Sequence, residues 1–163
     1  MKTRYTKSRQ NGEPHRHAGF TLVELMMVVA VVGILATIAL QAYMQYTHRA
    51  RMGEPLAKLT EMKSSVAQFY ATHNRLPTSA IEAGIGGSVA TDIYSHVSYS
   101  VVSGGPVLTI WVQGAILPGG VARAFSLSGV TRSDQSLSWT CKTGDASGSN
   151  GINPAWLPSN CRS

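Results

Sequence analysis

Apolar positions along the chain fall into three successive patterns. From Phe20 to Leu40 run 21 residues in which Glu24 is the only charge. About 20 apolar residues in a helix cross a hydrocarbon core, so this segment predicts a membrane-spanning helix. Leu56, Leu59, Met62, Val66, Phe69 and Tyr70 then recur largely at three- and four-residue spacing. That is the stripe of an amphipathic helix resting on a core. Pro55 stands within this second stretch; it lacks a backbone N–H and predicts a kink there. The run "HNRLP" predicts the helix end, since Asn74 tolerates left-handed geometry and Pro77 cannot continue a helix. Residues 78–95, with "GIGG" at 84–87, read as a loop with short irregular elements. Beyond it the period changes to two. Short alternating runs, "HVSYSVV" from 96, "VLTIWV" from 107, "VARAFSL" from 121 and "SLSWTC" from 136, are separated by the turn compositions "SGGP", "LPGG" and "GVTRSD". The expected fold is α+β. A long N-terminal helix, membrane-spanning and then amphipathic, packs on an antiparallel sheet of about four strands.

Composition adds scale and orientation. At 163 residues, 44% hydrophobic and 13% charged, the chain suits one anchored domain of ordinary size. Its formal charge of +6 is concentrated at the front. Lys2, Arg4, Lys7, Arg9 and Arg16 against Glu13 place a net +4 on residues 1–19 and leave +2 for the rest. A basic block before an apolar run orients a membrane segment with its basic side cytoplasmic, and is a poorer match to phosphate binding. A secretory signal would carry a shorter apolar core, roughly 7 to 15 residues, followed by a small-residue cleavage site. Here the small residues Ala18 and Gly19 precede the run. Cleavage at that point removes the basic leader and leaves the apolar helix as the new N-terminus.

Glu24 is the anomaly in this segment. An acid in apolar surroundings costs several kcal/mol unless it is paired, which makes it a candidate functional residue. A newly cut, positively charged amino group on Phe20 of a neighbouring chain is the obvious partner, since neither charge is stable there alone. An acid resting idle at the membrane surface is the plainer alternative.

The order of these features, with "GFTLVE" at its centre, resembles a type IV pilin precursor. The likeness is specific over about 25 residues and is one of layout elsewhere. It implies that a prepilin peptidase cuts after Gly19 and N-methylates Phe20, and that Glu24 serves assembly. The implied organisation is a removed leader at 1–19, a transmembrane and polymerisation helix at 20–47, and a head domain at 48–163. The protein would enter the bacterial inner membrane as a single pass with its N-terminus inside. It would then polymerise with copies of itself into an extracellular fibre for adhesion, twitching motility or DNA uptake. Implied partners are the peptidase, minor pilins, and an inner-membrane assembly platform with cytoplasmic ATPases. DNA contact is compatible with the family, but no residue pattern indicates it. A pseudopilin of a type II secretion system or a minor pilin shares the N-terminal motif and is the alternative. A departure lies in the helix itself: many pilins have proline at the twenty-second mature position, where this chain has Gln41, while the upstream glycine is kept as Gly33. Residues 33–41 are therefore expected to be helical in the isolated subunit.

Cys141 and Cys161 close the chain. With the N-terminus inside, both lie on the oxidising side of the membrane, where a disulfide persists. Closing a loop of about 20 residues is worth around 3 kcal/mol in the chain-entropy model. The enclosed "KTGDASGSNGINPAWLPSN" is so rich in Gly, Ser, Asn and Pro that it is expected to depend on the crosslink. In the resembled family such a loop is exposed on the fibre. A metal site is the alternative, but the nearest histidine is His96, and the HxH of His15 and His17 lies in the leader. GxSxG, HExxH, P-loop and GxGxxG motifs are absent, so no catalytic residue, cofactor or metal is expected. His48, His73 and His96 are scattered and read as solvated or packed side chains.

Overall fold

The computed structural model describes residues 19–86 and 90–162. Helix α1 spans Leu22–Arg51 and helix α2 spans Gly53–His73. Four strands follow, β1 (Tyr94–Val102), β2 (Gly105–Val112), β3 (Arg123–Thr131) and β4 (Leu137–Thr143). The chain divides into two units between Ala39 and Leu40. The predicted leader and Gly87 of the "GIGG" run lie outside the described residues, apart from Gly19.

In the first unit, helix α1 is long and apolar enough to cross a membrane, and none of its residues is buried. Gly33 through Gln41 is helical throughout. Thr37 donates its hydroxyl to the carbonyls of Ile34 and Gly33, at 2.8 and 3.0 Å. The interruption predicted at Pro55 falls instead at Met52, between the two helices. The physical reason is the same proline seen one turn earlier. Pro55 has no N–H for the carbonyl of Arg51, so the bonding ladder lapses there. At the third position of α2, by contrast, its missing donor would have had no intrahelical partner. Gly53, beside the break, lowers helix propensity further.

The second unit holds the core. Leu59, Met62 and Val66 of α2 are buried as the stripe predicts, joined by Met52 and Pro55, which the stripe omitted. Leu56, Phe69 and Tyr70 are only half-buried. Asn74 ends α2 in the left-handed region at φ 53°, its N–H donating to the carbonyl of Tyr70 at 2.9 Å. The sheet is an antiparallel meander in the order β1-β2-β3-β4. Leu108, Ile110 and Val112 of β2 and Phe125 and Leu127 of β3 point into the core shared with α2. β1 starts two residues before the predicted strand, at Tyr94, and β3 starts two residues after, at Arg123. The β1–β2 hairpin turns on Ser103 and Gly104, both at positive φ, the geometry whose twist suits flanking strands. On β3, Gly129 is required: an added Cβ would lie 2.7 Å from Pro106 Cγ and 3.2 Å from Trp139 Cζ3. Its missing side chain is what lets the proline and the indole meet across the sheet.

Candidate functional site

Two regions carry the candidate residues. At the N-terminal end, Gly19, Phe20 and Thr21 are non-helical and exposed, and α1 begins immediately after them. Thr21 sets that start. Its hydroxyl oxygen accepts the backbone N–H of Glu24 at 3.3 Å, and its carbonyl accepts the N–H of Leu25 at 3.2 Å. The Thr21 hydroxyl also approaches Glu24 Oε2, at 3.5 Å. This is one half of a capping box, with Glu24 at the third helical position. A carboxylate there also faces the positive end of the helix dipole. The role of Thr21 went unread in the sequence, although Thr-x-x-Glu is its signature. The bond between Gly19 and Phe20 thus lies in non-helical backbone next to a fixed helix start. Glu24, four residues on from Phe20, is exposed.

Among the described residues, no side chain of α1 is buried: Leu22 is 73% exposed and Ile34 65%, and Phe20 just before the helix is 74% exposed. A stretch of this length and exposure demands lipid or further protein around it.

At the C-terminal end, Cys141 and Cys161 form a disulfide with their Cα atoms 4.8 Å apart. Both are buried against the core. The loop between them is better anchored than its composition suggests. Ile152 and Leu157 are fully buried plugs. Ala124, at the start of β3, bonds it from both sides: its N–H donates to Asn150 O at 2.8 Å, and its carbonyl accepts from Gly144 and Ile152. Asp145 organises the tip, accepting from Ser147 N at 2.9 Å, Ser149 N at 3.1 Å, Asn150 Nδ2 at 2.9 Å and the Ser147 hydroxyl. These donors, the Ser147 hydroxyl and Asn150 amide foremost, hold the Asp145 carboxyl down to about 2. Arg49 Nε donates to the carbonyl of Ala155 at 2.8 Å, and the His48 ring lies 5.5 Å from that of Trp156. The crosslink on which this loop is expected to depend is accordingly accompanied by other anchors. Buried apolar plugs and a carboxylate-centred turn hold it as well.

The turn after α2 uses the same device. Glu82 accepts from Arg75 and from the N–H and hydroxyl of Thr78, and its carboxyl is held to about 2, chiefly by Arg75. His73 stacks on Phe69 at 4.2 Å and His96 on Trp111 at 5.5 Å, so the three histidines among the described residues are all packed against aromatic rings. No group of three metal-ligating side chains occurs among the described residues.

Comparison with known proteins supplies the family. Residues 48–162 match the pilin family, described as a bacterial filament protein, and residues 14–40 match the prokaryotic N-terminal methylation motif. The chain belongs to the pilin family. This pilin is 34% identical to the fimbrial protein EcpC of Eikenella corrodens over 145 residues, covering 88% of the pilin and 90% of the relative. It is likewise 34% identical to a type IV major pilin protein PilE of Neisseria gonorrhoeae over 157 residues, covering 88% and 93%. A fimbrial protein of Neisseria meningitidis serogroup A is 32% identical over 160 residues, with the same coverage. As a pilin, the protein is a structural fibre subunit and not an enzyme.

Proposed function

We propose that this pilin is the major subunit of a type IV pilus, cut after Gly19, N-methylated on Phe20, and polymerised through α1. The observation that carries the reading is an apolar helix with no buried residue, headed by a capped Thr-x-x-Glu directly behind a non-helical Gly–Phe junction. The methylation motif spans this junction. Several relatives named as type IV major pilins align over most of their length, which supports the major-subunit role over a minor pilin or a secretion pseudopilin. Before assembly the subunit is a single-pass inner-membrane protein. The basic leader stays inside, the head lies outside, and an assembly platform with cytoplasmic ATPases extracts it into the fibre. Within the fibre, the Glu24 carboxylate of one subunit pairs with the Phe20 amine of the next and fixes their axial register.

Shearing filaments from cells and measuring the intact mass of their main component tests this directly. The expected species begins at Phe20 and carries one added methyl group. A main component other than this chain, or a mature N-terminus near Met1, would overturn the reading. Thr21→Val adds a finer arm. Loss of the cap, worth about 1 kcal/mol, should fray the helix start and slow processing, with membrane insertion unchanged.

A further inference from the structure

The strands also present a face turned away from α2, and its chemistry is unlike that of a plain solvated surface. Side chains alternate between the two faces of a sheet. The inward set, Leu108, Ile110, Phe125 and Leu127, is taken by the core. Between them the outward positions align in register as Ser98, Thr109, Ser126 and Lys142, one from each strand. Thr109 and Ser126 are only 1% and 2% exposed, although they lie outside the core. Thr109 Oγ1 has no hydrogen-bond partner, and no hydrogen bond engages the Ser126 side chain among the described residues. Opposed hydroxyls of this kind ordinarily bond across the strands, and buried polar groups ordinarily find partners. The Thr109 hydroxyl is buried and unpaired, and the Ser126 hydroxyl beside it, also without a partner, opens onto a cavity on this face.

The tip of the disulfide loop covers this face. Asp145 through Gly148, together with Val107, Ser126, Ser128 and Lys142, line a cavity of about 310 Å³. Ligand sites begin at about 300 Å³, so the space suits one ring-sized group and not a peptide. Its charge is one-sided. Lys142 is exposed and forms no ion pair among the described residues. The acid in the wall, Asp145, has its carboxylate occupied by four donors of its own loop. What is left for a ligand is one ammonium, the Ser126 and Ser128 hydroxyls, which can donate and accept, and the Ser147 hydroxyl, which can only accept because its proton is given to Asp145. No aromatic ring lines the cavity, so a neutral sugar would find no apolar plate for its ring face. A ring bearing both hydroxyls and a carboxylate uses everything on offer, with a charge-assisted bond to Lys142 as its strongest contact.

We propose that this cavity is a binding site for a single acidic sugar unit, a uronic acid residue whose carboxylate meets Lys142 and whose hydroxyls meet Ser126, Ser128 and Ser147. The site belongs to the free subunit and does not depend on fibre assembly. The test is a titration of the full-length, nitrogen-15-labelled pilin in detergent micelles with sodium glucuronate, with glucose and inorganic phosphate in parallel. Glucuronate is expected to give saturable shifts at the amides of Ser126, Ser128, Lys142 and Ser147, while equal glucose gives none and phosphate binds at least about 10-fold more weakly. Lys142→Gln, an exposed change that leaves the rest of the spectrum in place, should weaken glucuronate binding about 10-fold, the loss of one charge-assisted bond. Shifts that do not saturate or that map elsewhere would overturn the proposal. Undiminished binding by Lys142→Gln would do so too. Phosphate saturating the same amides as tightly as glucuronate would reduce the site to an anion pocket without sugar recognition, and so refute it.

Discussion

Glu24 holds the third position of α1 with its backbone N–H on the Thr21 hydroxyl oxygen and its carboxylate within 3.5 Å of the same hydroxyl. Glu24→Val removes only the second of these, because the cap is made to the backbone. The helix start should survive, and membrane insertion should improve as the segment loses its only acid. What is lost is the counter-charge for a neighbouring amine. Filament yield is expected to fall at least about 10-fold, equivalent to 1.4 kcal/mol, with subunit levels in the membrane unchanged. Quantifying sheared pilin against membrane pilin checks it, and wild-type yield would show the pairing to be dispensable. Glu24 stood out as a candidate in the sequence because it is the single charge in the apolar run from Phe20 to Leu40. Asp145 was not. Its importance depends on a loop path that brings Ser147, Ser149 and Asn150 around one carboxylate, and nothing in "GDASGSN" specifies that path. Its folded pKa of about 2 lies below the ordinary 3.8, so the stabilisation is present above pH 4 and fades as pH falls toward 2. Asp145→Asn should loosen residues 144–150 at neutral pH, and acidifying the wild type toward pH 2 should do the same. Amide protection or line shape in that loop reports both.

At the scale of elements, both helices and all four strands could be read from periodicity, but their ends could not. β3 begins at Arg123 because the preceding "GAILPGGVA" run is spent on a 3-10 turn at Gly114–Ile116 and on Gly119 and Gly120 at positive φ. Alternation alone cannot see a turn that includes apolar residues. Pro55 was read correctly as a disruption and misplaced by one turn, since a proline leaves unbonded a carbonyl four residues before itself. The disulfide loop shows a further limit of composition. Ile152 and Leu157 are two apolar residues in a polar run, yet both are fully buried. Cys161→Ser is therefore expected to loosen residues 157–162 chiefly, leaving 144–152 protected through Ala124 and Asp145. The chain-entropy figure of about 3 kcal/mol is then an upper bound on the loss. Hydrogen exchange resolved along the loop is the measurement, and uniform loss of protection from 142 to 160 would show the crosslink to be the main anchor. In α1, Gln41 keeps the N–H that a proline would lack, and Thr37 adds bonds to the carbonyls of Gly33 and Ile34. Any melting between Gly33 and Gln41 in the fibre should be shorter than in relatives that have the proline. Backbone rise read from a cryo-microscopy map decides it, and an extended run over that whole span would mean that assembly geometry melts the helix.

The molecule as a whole combines a head that satisfies itself with a helix that cannot. In the head, strands, α2 and the disulfide loop share one core. In α1 no residue is buried, and 21 consecutive positions from Phe20 carry a single charge. Such a surface has two stable environments, the hydrocarbon of a bilayer and the flanks of other copies of the same helix. Passing from one to the other exchanges lipid contact for packing, to which the proposed pairing of Glu24 with an amine would add. Fibre cohesion should then depend on apolar contact, with roughly 25 cal/mol for each Å² withheld from water. Surface ion pairs contribute little by comparison and are screened by salt. Filaments of this pilin should accordingly persist in concentrated salt, where apolar association is if anything strengthened, most of all by sulfate. They should come apart in mild detergent, which supplies the alternative apolar environment and leaves the heads folded. Sedimentation of sheared filaments in about 2 M sodium chloride, where the Debye length falls below about 3 Å, and in a non-ionic detergent separates the two cases. Dissolution by salt with survival in detergent would place the cohesion in charge pairs between heads and remove α1 from its central role.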